Sequence, residues 1–330
     1  MVKRSRPRPH PGRSSQKRAS KAAVPDKALV PDVVELVTVL DLVRYAVTRF
    51  NAAKLIFAHG TTDPVAEAAF LVGEALHLPP DRFELFAPAN VTAPERQRIL
   101  GLIEARIRTR KPAAYLLERI YAAGVPFYVD DRVIVPRSYL GEIIVGDAFA
   151  SGDEGLGLAD PDEVTRVLDL CTGSGALAVL AAMRFPDAAV DAVDISADAL
   201  AVAARNVGEH GLDDRIRLLQ GDLFAPVDGE RYDLIITNPP YVDEGGMAAL
   251  PPECRHEPAL ALDGGTDGIA IISRIIDDAG RHLTETGGLL CEVGRGRAVL
   301  EARYPDLAFL WLDTEESTGE VFWLGACELR

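Results

Sequence analysis

Along the first third of the chain, apolar positions follow a helical rhythm. Val33, Val34, Leu36, Val37, Leu40, Leu42, Val43 and Ala46 recur with a period near 3.6, which predicts an amphipathic helix. Asp63-Pro64 reads as a cap and a first-turn proline, with Glu67 in the first turn. The helix it opens is expected to run to about Leu78 and to stop at Pro79-Pro80. A third helix is expected from about Pro94 to Arg110, where Lys111-Pro112 ends it. Together these predict a small helical domain over 31–114. The texture changes over 115–136. Tyr121, Val125, Phe127, Tyr128, Val129, Val133, Ile134 and Val135 are strand formers, and Asp130-Asp131 reads as the turn between them. A β-hairpin linking two domains is expected there. A helix is expected at 138–149, followed by a Gly/Asp-rich segment at 151–163.

From residue 164 strands and helices alternate. Strands are expected at Val164–Leu170, Ala188–Val193, Ile216–Leu219, Tyr232–Thr237 and Gly288–Val293. Helices are expected at Ala176–Phe185, Ala197–Glu209 and Gly268–Leu283, and Leu307–Trp311 with Val321–Cys327 as a closing antiparallel pair. Alternating βα units predict an α/β fold with a mostly parallel, doubly wound sheet, here over 137–330.

Length and composition agree with this. At roughly 100–200 residues per domain, 330 residues suit two domains. With 48 % hydrophobic residues the chain can bury a core, which excludes wholesale disorder. Charge changes the picture more. The net charge is −15, but residues 1–30 hold nine Lys/Arg and one acid, Asp26, and so carry +8. The rest of the chain must then carry −23, the difference between −15 and +8. This Pro-, Arg-, Lys- and Ser-rich tail has few large apolar residues and is expected to be disordered. Cys171, Cys254, Cys291 and Cys327 stand far apart with no CxxC spacing, which speaks against a zinc site and against a disulfide framework. No metal is expected. The basic N-terminus lacks the apolar run of a signal peptide, and no apolar stretch is long enough to span a membrane, so a soluble cytoplasmic protein is the default expectation.

Candidate chemistry lies at strand ends. Asp169-Leu170-Cys171-Thr172-Gly173-Ser174-Gly175 sits at a strand-to-helix junction, where glycines let backbone approach a ligand and the following helix aims its amides at it. Gly173-Ser174-Gly175-Ala176-Leu177-Ala178 also satisfies the dinucleotide fingerprint, with Asp194 at the end of the next strand placed for ribose hydroxyls. These two features suit NAD and S-adenosylmethionine equally. They imply an adenosyl-type ligand and leave the reaction open. Asp222, with Leu223 and Phe224, can accept from an adenine amino group and cover the ring, although an Asp after a strand is more often a turn residue. Asn238-Pro239-Pro240-Tyr241 ends the fourth strand at the carboxyl edge, where such sheets bind ligands. The prolines hold the segment extended. The Asn238 side-chain carbonyl and the Pro239 main-chain carbonyl can then accept both protons of one planar –NH₂ group, and the Tyr241 ring can stack on it.

Asp169–Gly175, Asp194, Asp222 and Asn238–Tyr241 together resemble class I S-adenosylmethionine-dependent methyltransferases that modify planar –NH₂ groups. Within these, the chain resembles the glutamine N(5)-methyltransferases of translation components over about residues 33–326. The resemblance implies a Rossmann-like methyltransferase domain joined by a hairpin to a helical substrate-recognition domain. It implies S-adenosylmethionine bound by Asp169, Cys171, Thr172, Gly173, Ser174, Gly175, Asp194, Ile195, Asp222, Leu223 and Asn238. The glutamine would meet Asn238, Pro239, Pro240 and Tyr241, with Arg137 nearby. Arg49-Phe50-Asn51, His59-Gly60-Thr61, Phe127–Ser138, Arg255-His256-Glu257-Pro258 and Gly265–Gly268 look like the branch acting on large-subunit ribosomal protein L-three. The release-factor branch more typically shows Pro-Arg-Pro and an acidic pair, where this chain has Ser138-Tyr139, and Tyr139 also departs from the proline expected in the ribosomal branch. Arg137 can equally pair with acids of its own domain. His256 is better read as packing the loop than as a base, because the amide nitrogen need not lose its proton before attack.

The resemblance implies an L-three substrate. Methylation of the GGQ glutamine of release factors is the alternative, and adenine amino-methylation in nucleic acid is weakened by the body's −23, since phosphate contacts need a basic channel. A nicotinamide oxidoreductase would share the glycine turn and leave Asn238–Tyr241 unexplained, and a non-catalytic adaptor leaves every motif unexplained. An acidic body suits a basic protein partner. The +8 tail is the one segment suited to ribosomal RNA beside that partner.

Overall fold

Capping decides where the N-terminal helices begin. In the computed structural model, which describes residues 35–149, 164–315 and 317–329, helix α1 spans Val39–Ala52. Thr38 and Asp41 close a capping box at its start, so it begins later than the apolar period from residue 33 suggests. Helix α2, Pro64–Ala75, starts as expected: the Asp63 carboxylate accepts from the amides of Val65 and Ala66 at 2.7 and 3.0 Å. It ends ahead of Pro79, because His77 turns to φ +55° and the Leu78 amide donates back to Gly73 O. A one-turn α3, Phe83–Phe86, precedes α4, Ala93–Thr109, which Thr92 and Glu95 cap and a left-handed Arg110 closes. Helix α5 covers Ala113–Leu117. The short α3 and α5 are too brief to leave an apolar period in the sequence. Leu42, Phe50, Leu71, Ile99 and Ile103 form the core between α1, α2 and α4.

The hairpin is shorter than expected and turns elsewhere. Strands β1, Ile120–Ala122, and β2, Val125–Phe127, pair antiparallel. The turn is Ala123-Gly124, with φ +47° and +77°, the two successive positive values that a two-residue hairpin demands and a glycine eases. Asp130-Asp131 is not that turn. The Asp130 carboxylate instead accepts from the amide and guanidinium of Arg132 and from the Tyr128 hydroxyl. Helix α6, Leu140–Val145, follows.

The βα alternation holds through the second half: β3 Arg166–Leu170, α7 Ala176–Arg184, β4 Ala189–Asp194, α8 Ala197–Glu209, β5 Ile216–Gln220 and β6 Tyr232–Thr237. Then come α9 Glu244–Ala249, α10 Ala270–Ala279, β7 Leu283–Glu292, α11 Arg297–Arg303, β8 Leu310–Asp313 and β9 Thr318–Gly325. The short α9 and α11 were not expected. The sheet runs β5-β4-β3-β6-β7-β9-β8, with β3 to β7 parallel and β9 antiparallel between β7 and β8. Strand residues alternate between faces. Val167, Leu234, Ile236 and Leu290 pack on the side of α7, while Leu168, Leu170, Ile235, Leu289 and Cys291 pack on the side of α10. Both faces being covered explains the continuous apolar runs. This is the Rossmann-like class I methyltransferase fold. Its order reverses between β3 and β6, so the carboxyl ends of those strands border an open crevice. The basic tail and the Gly/Asp-rich segment 151–163 lie outside the described residues.

Candidate active site

The crevice at the carboxyl ends of β3, β4, β5 and β6 is a cleft lined by Cys171, Gly173, Asp194, Ile195, Asp222, Leu223, Asn238 and Pro240 among others. Its floor is the turn after β3. Cys171, Gly173 and Gly175 all take positive φ (+58°, +55° and +79°), which folds the backbone tightly beneath a ligand. At Gly175 a Cβ would come within 3.1 Å of the Ala203 Cβ on α8, so a larger residue would push helix and turn apart.

Four of the predicted cofactor residues stand behind this floor. Asp169, Thr172, Ser174 and Gly175 are buried and do not line the cleft. They brace the turn. The Thr172 hydroxyl donates to Asp169 Oδ2 at 2.5 Å, and burial raises the Asp169 carboxyl to about 7 against the opposing hydrogen bond from Thr172. The Ser174 carbonyl accepts from Asn206 Nδ2 at 2.8 Å. Asn206, fully buried on α8, also accepts from the Tyr128 amide (2.8 Å) and donates to the Tyr128 carbonyl (3.0 Å), tying the hairpin to the glycine turn.

The carboxylates that line the cleft retain acceptor capacity. Asp194 accepts from the Gly173 amide on Oδ2 (2.9 Å) and from the Ser196 amide on Oδ1 (2.8 Å). Each oxygen keeps a second lone pair, which suits two ribose hydroxyls. Burial raises its carboxyl above the ordinary range, against the pull of those amides. Asp222 Oδ2 accepts from Arg274 of α10 at 2.7 Å, while Oδ1 has no hydrogen-bond partner among the described residues. A glycine-floored pocket with two such carboxylates and the Ile195 and Leu223 side chains fits an adenosyl ligand.

Beside it stands Asn238-Pro239-Pro240-Tyr241. Thr237 anchors the end of β6 by donating to Leu170 O at 2.9 Å. Asn238 and Pro240 line the cleft, and Pro239 is buried. Neither the Asn238 side chain nor the Pro239 carbonyl has a hydrogen-bond partner among the described residues. Tyr241 does not line the cleft. Its hydroxyl donates to Glu292 Oε1 at 2.9 Å, and a Cβ on Gly294 would meet its ring at 2.6 Å. The Tyr241 ring lies against Gly294 and its hydroxyl is held by Glu292, as a post is held at both ends. Glu292, at the end of β7, also accepts on Oε2 from Ser138 Oγ (2.6 Å) and the Tyr139 amide (3.1 Å). Burial raises its carboxyl, with the hydrogen bonds from Ser138, Tyr241 and Tyr139 opposing.

Of the two partners expected for Arg137, the structure shows an acid of its own chain. Its guanidinium grips Glu257 through Nη1–Oε1 (2.5 Å) and Nη2–Oε2 (2.9 Å), and the Val135 amide donates to the same carboxylate at 3.0 Å. His59 Nε2 stands 3.4 Å from Glu257 Oε2, and Cys254 is close by. These three side chains have metal-ligand chemistry, but Arg137 holds both oxygens of the carboxylate. His256 Nε2 stands 2.9 Å from Thr109 O. Glu292, Asn206 and Arg274 are not singled out by the sequence, and Glu257 only as part of Arg255-His256-Glu257-Pro258. Of the first three, only Glu292 carried a signal, as a lone acid ending the apolar strand Leu289-Leu290-Cys291.

Residues 158–250 match the family described as Methyltransferase small domain. The chain is 63 % identical over 317 residues to a ribosomal protein uL3 glutamine methyltransferase of Bradyrhizobium diazoefficiens, covering 96 % of this chain and 99 % of that one. A Bordetella pertussis protein of the same name is 50 % identical over 292 residues, covering 88 % and 95 %. A solved methyltransferase from Pyrococcus furiosus aligns with a TM-score of 0.44 and 18 % identity, over 68 % of this chain and 97 % of that one.

Proposed function

The chain belongs to the ribosomal protein uL3 glutamine methyltransferases, and from that membership we propose that it transfers a methyl group from S-adenosylmethionine to the side-chain amide nitrogen of a glutamine in uL3. When bound, the cofactor supplies an electrophilic methyl group on a sulfonium. The chain's own residues orient and exclude water. Asp194 and Asp222 hold the adenosyl part above the turn at Gly173. The side-chain oxygen of Asn238 and the carbonyl of Pro239 accept the two amide protons of the glutamine, which aims its nitrogen and stabilises the positive charge that develops there. No covalent enzyme intermediate is needed. Residues 31–114 recognise the protein substrate, 115–136 link, and 137–330 carry the chemistry. The site is cytoplasmic, where ribosomal proteins are made, and no helix among the described residues is long and apolar enough to cross a membrane. The +8 tail contacts ribosomal RNA beside the substrate.

The observation that carries the acceptor role is the pair of unclaimed acceptors at Asn238 and Pro239 beside the cleft. Asn238→Ala is expected to bind S-adenosylmethionine as the parent does and to lose at least about a hundredfold in methylation of uL3, the scale of removing one aimed hydrogen-bonding group. Mass spectrometry of labelled uL3 checks it. Wild-type turnover by Asn238→Ala would remove the role.

A further inference from the structure

Glu292 joins two parts of the molecule that are remote in sequence. Its Oε1 holds Tyr241, the last residue of the acceptor motif, at 2.9 Å. Its Oε2 holds Ser138 Oγ at 2.6 Å and the Tyr139 amide at 3.1 Å, where the chain leaves the hairpin arm. The side chain is almost fully buried, at 2 % exposure for the residue. Ser138 Oγ itself accepts from the Leu140 amide at 3.2 Å, so its proton is directed to Glu292. The ring that Glu292 anchors is backed by Gly294, where any side chain would collide.

We propose that Glu292 is a positioning residue for methyl transfer, a tie that sets the acceptor motif against the arm leaving the hairpin. It does not line the cleft. It acts through Tyr241, whose backbone continues directly into Pro240, Pro239 and Asn238. The proposal rests on the reading of Asn238–Tyr241 as the motif that receives the glutamine.

Reach and charge separate this role from the others open to a buried carboxylate. In Glu292→Gln the amide oxygen can replace Oε2 toward Ser138 and Tyr139. Its –NH₂ can donate to the Tyr241 hydroxyl, which reverses its own proton. Every leg of the tie survives without the charge. In Glu292→Asp the charge survives, but the carboxylate is drawn back by about one carbon–carbon bond, ~1.5 Å. The tie cannot then reach both ends.

The test measures uL3 methylation at saturating cofactor, together with S-adenosylmethionine binding by calorimetry and thermal unfolding of each variant. Glu292→Gln should stay within about threefold of the parent kcat. Glu292→Asp should fall by about tenfold to a hundredfold, the cost of a misplacement near 1 Å. Its KM for uL3 and its cofactor affinity should change little. Tyr241→Phe should lose a similar factor, and Glu292→Asp added to Tyr241→Phe should cost no more than about a further twofold, because a tie cut at one end is not cut again at the other. The proposal is overturned if Glu292→Asp matches Glu292→Gln, if Glu292→Gln is the worse variant, or if the losses in the double variant multiply. If Glu292→Asp does not fold, Tyr241→Phe and Ser138→Ala carry the same test, each removing one leg, with non-additive losses expected and multiplying losses contrary. Asn238→Ala run in parallel keeps the two readings apart. An active Asn238→Ala removes the acceptor role. An inactive one beside a failed Glu292 series removes only the tie.

Discussion

Glu257 shows how a single side chain can decide a local structure. Burial alone would push its carboxyl upward, but His59 and the two-pronged Arg137 outweigh burial and hold it at about 2, below the ordinary 4.5. A depressed carboxyl contributes stability that is complete above its ordinary value and lost as pH falls toward the native one. The parent should therefore be more stable than Glu257→Gln at about pH 6. That advantage, roughly 3 kcal/mol at its largest, should shrink steadily between about pH 4.5 and about pH 2. Denaturant unfolding of both proteins across this range measures it, and a constant difference would contradict the assignment. Arg106 follows the same logic inside the helical part. It is fully buried, yet its Nε donates to Glu67 at 2.7 Å and its Nη2 to Ile56 O at 3.1 Å. Neither pairing was readable in the sequence, since the partners lie 39 and 50 positions away and leave no local trace.

Among elements, α8 has the widest reach. Its boundaries, Ala197–Glu209, follow from the Ser196 cap and the apolar period, and the sequence reading had them right. What the period does not reveal is that Asn206, on the buried face, serves the hairpin and the glycine turn at once. Asn206→Ala would leave the part-buried Tyr128 amide and carbonyl and the buried Ser174 carbonyl without this partner. The expected cost is about 2–4 kcal/mol of stability. Weaker cofactor binding should accompany it, because the turn at Gly173–Gly175 loses its brace. Urea unfolding and calorimetric titration with S-adenosylmethionine test the two effects separately. The hairpin teaches the complementary lesson. Its existence was legible from the run of β-formers, and its turn was misplaced. Asp130-Asp131 has turn chemistry, but Arg132 and Tyr128 claim the Asp130 carboxylate, and the chain reverses at Ala123-Gly124 instead.

At the scale of the whole molecule, charge is divided between a tail of +8 and a remainder of −23. An acidic body draws in a basic protein substrate over distances up to the screening length, about 8 Å at physiological salt. Deleting residues 1–30 should leave methylation of isolated uL3 unchanged and lower co-sedimentation with large-subunit assembly particles in a salt-dependent way. Unchanged co-sedimentation would remove the RNA contact. The sequence alone determined the order of the sheet's strands and of the longer helices, the tight turn between β3 and α7, and the Asn238–Tyr241 segment at the end of β6. Each of those is written in neighbouring residues: caps, glycines, prolines and the spacing of apolar positions. Only the tertiary structure decided which of the named residues line the cleft and which are buried beside it. Asp169, Thr172, Ser174 and Gly175 are buried in the turn, Arg137 pairs with Glu257, and the Tyr241 hydroxyl donates to Glu292. The physical reason is that a side chain's partner is set by where the sheet brings distant strands together. Glu257 meets Arg137 across 120 positions and Glu292 meets Ser138 across 154, separations over which no local pattern survives.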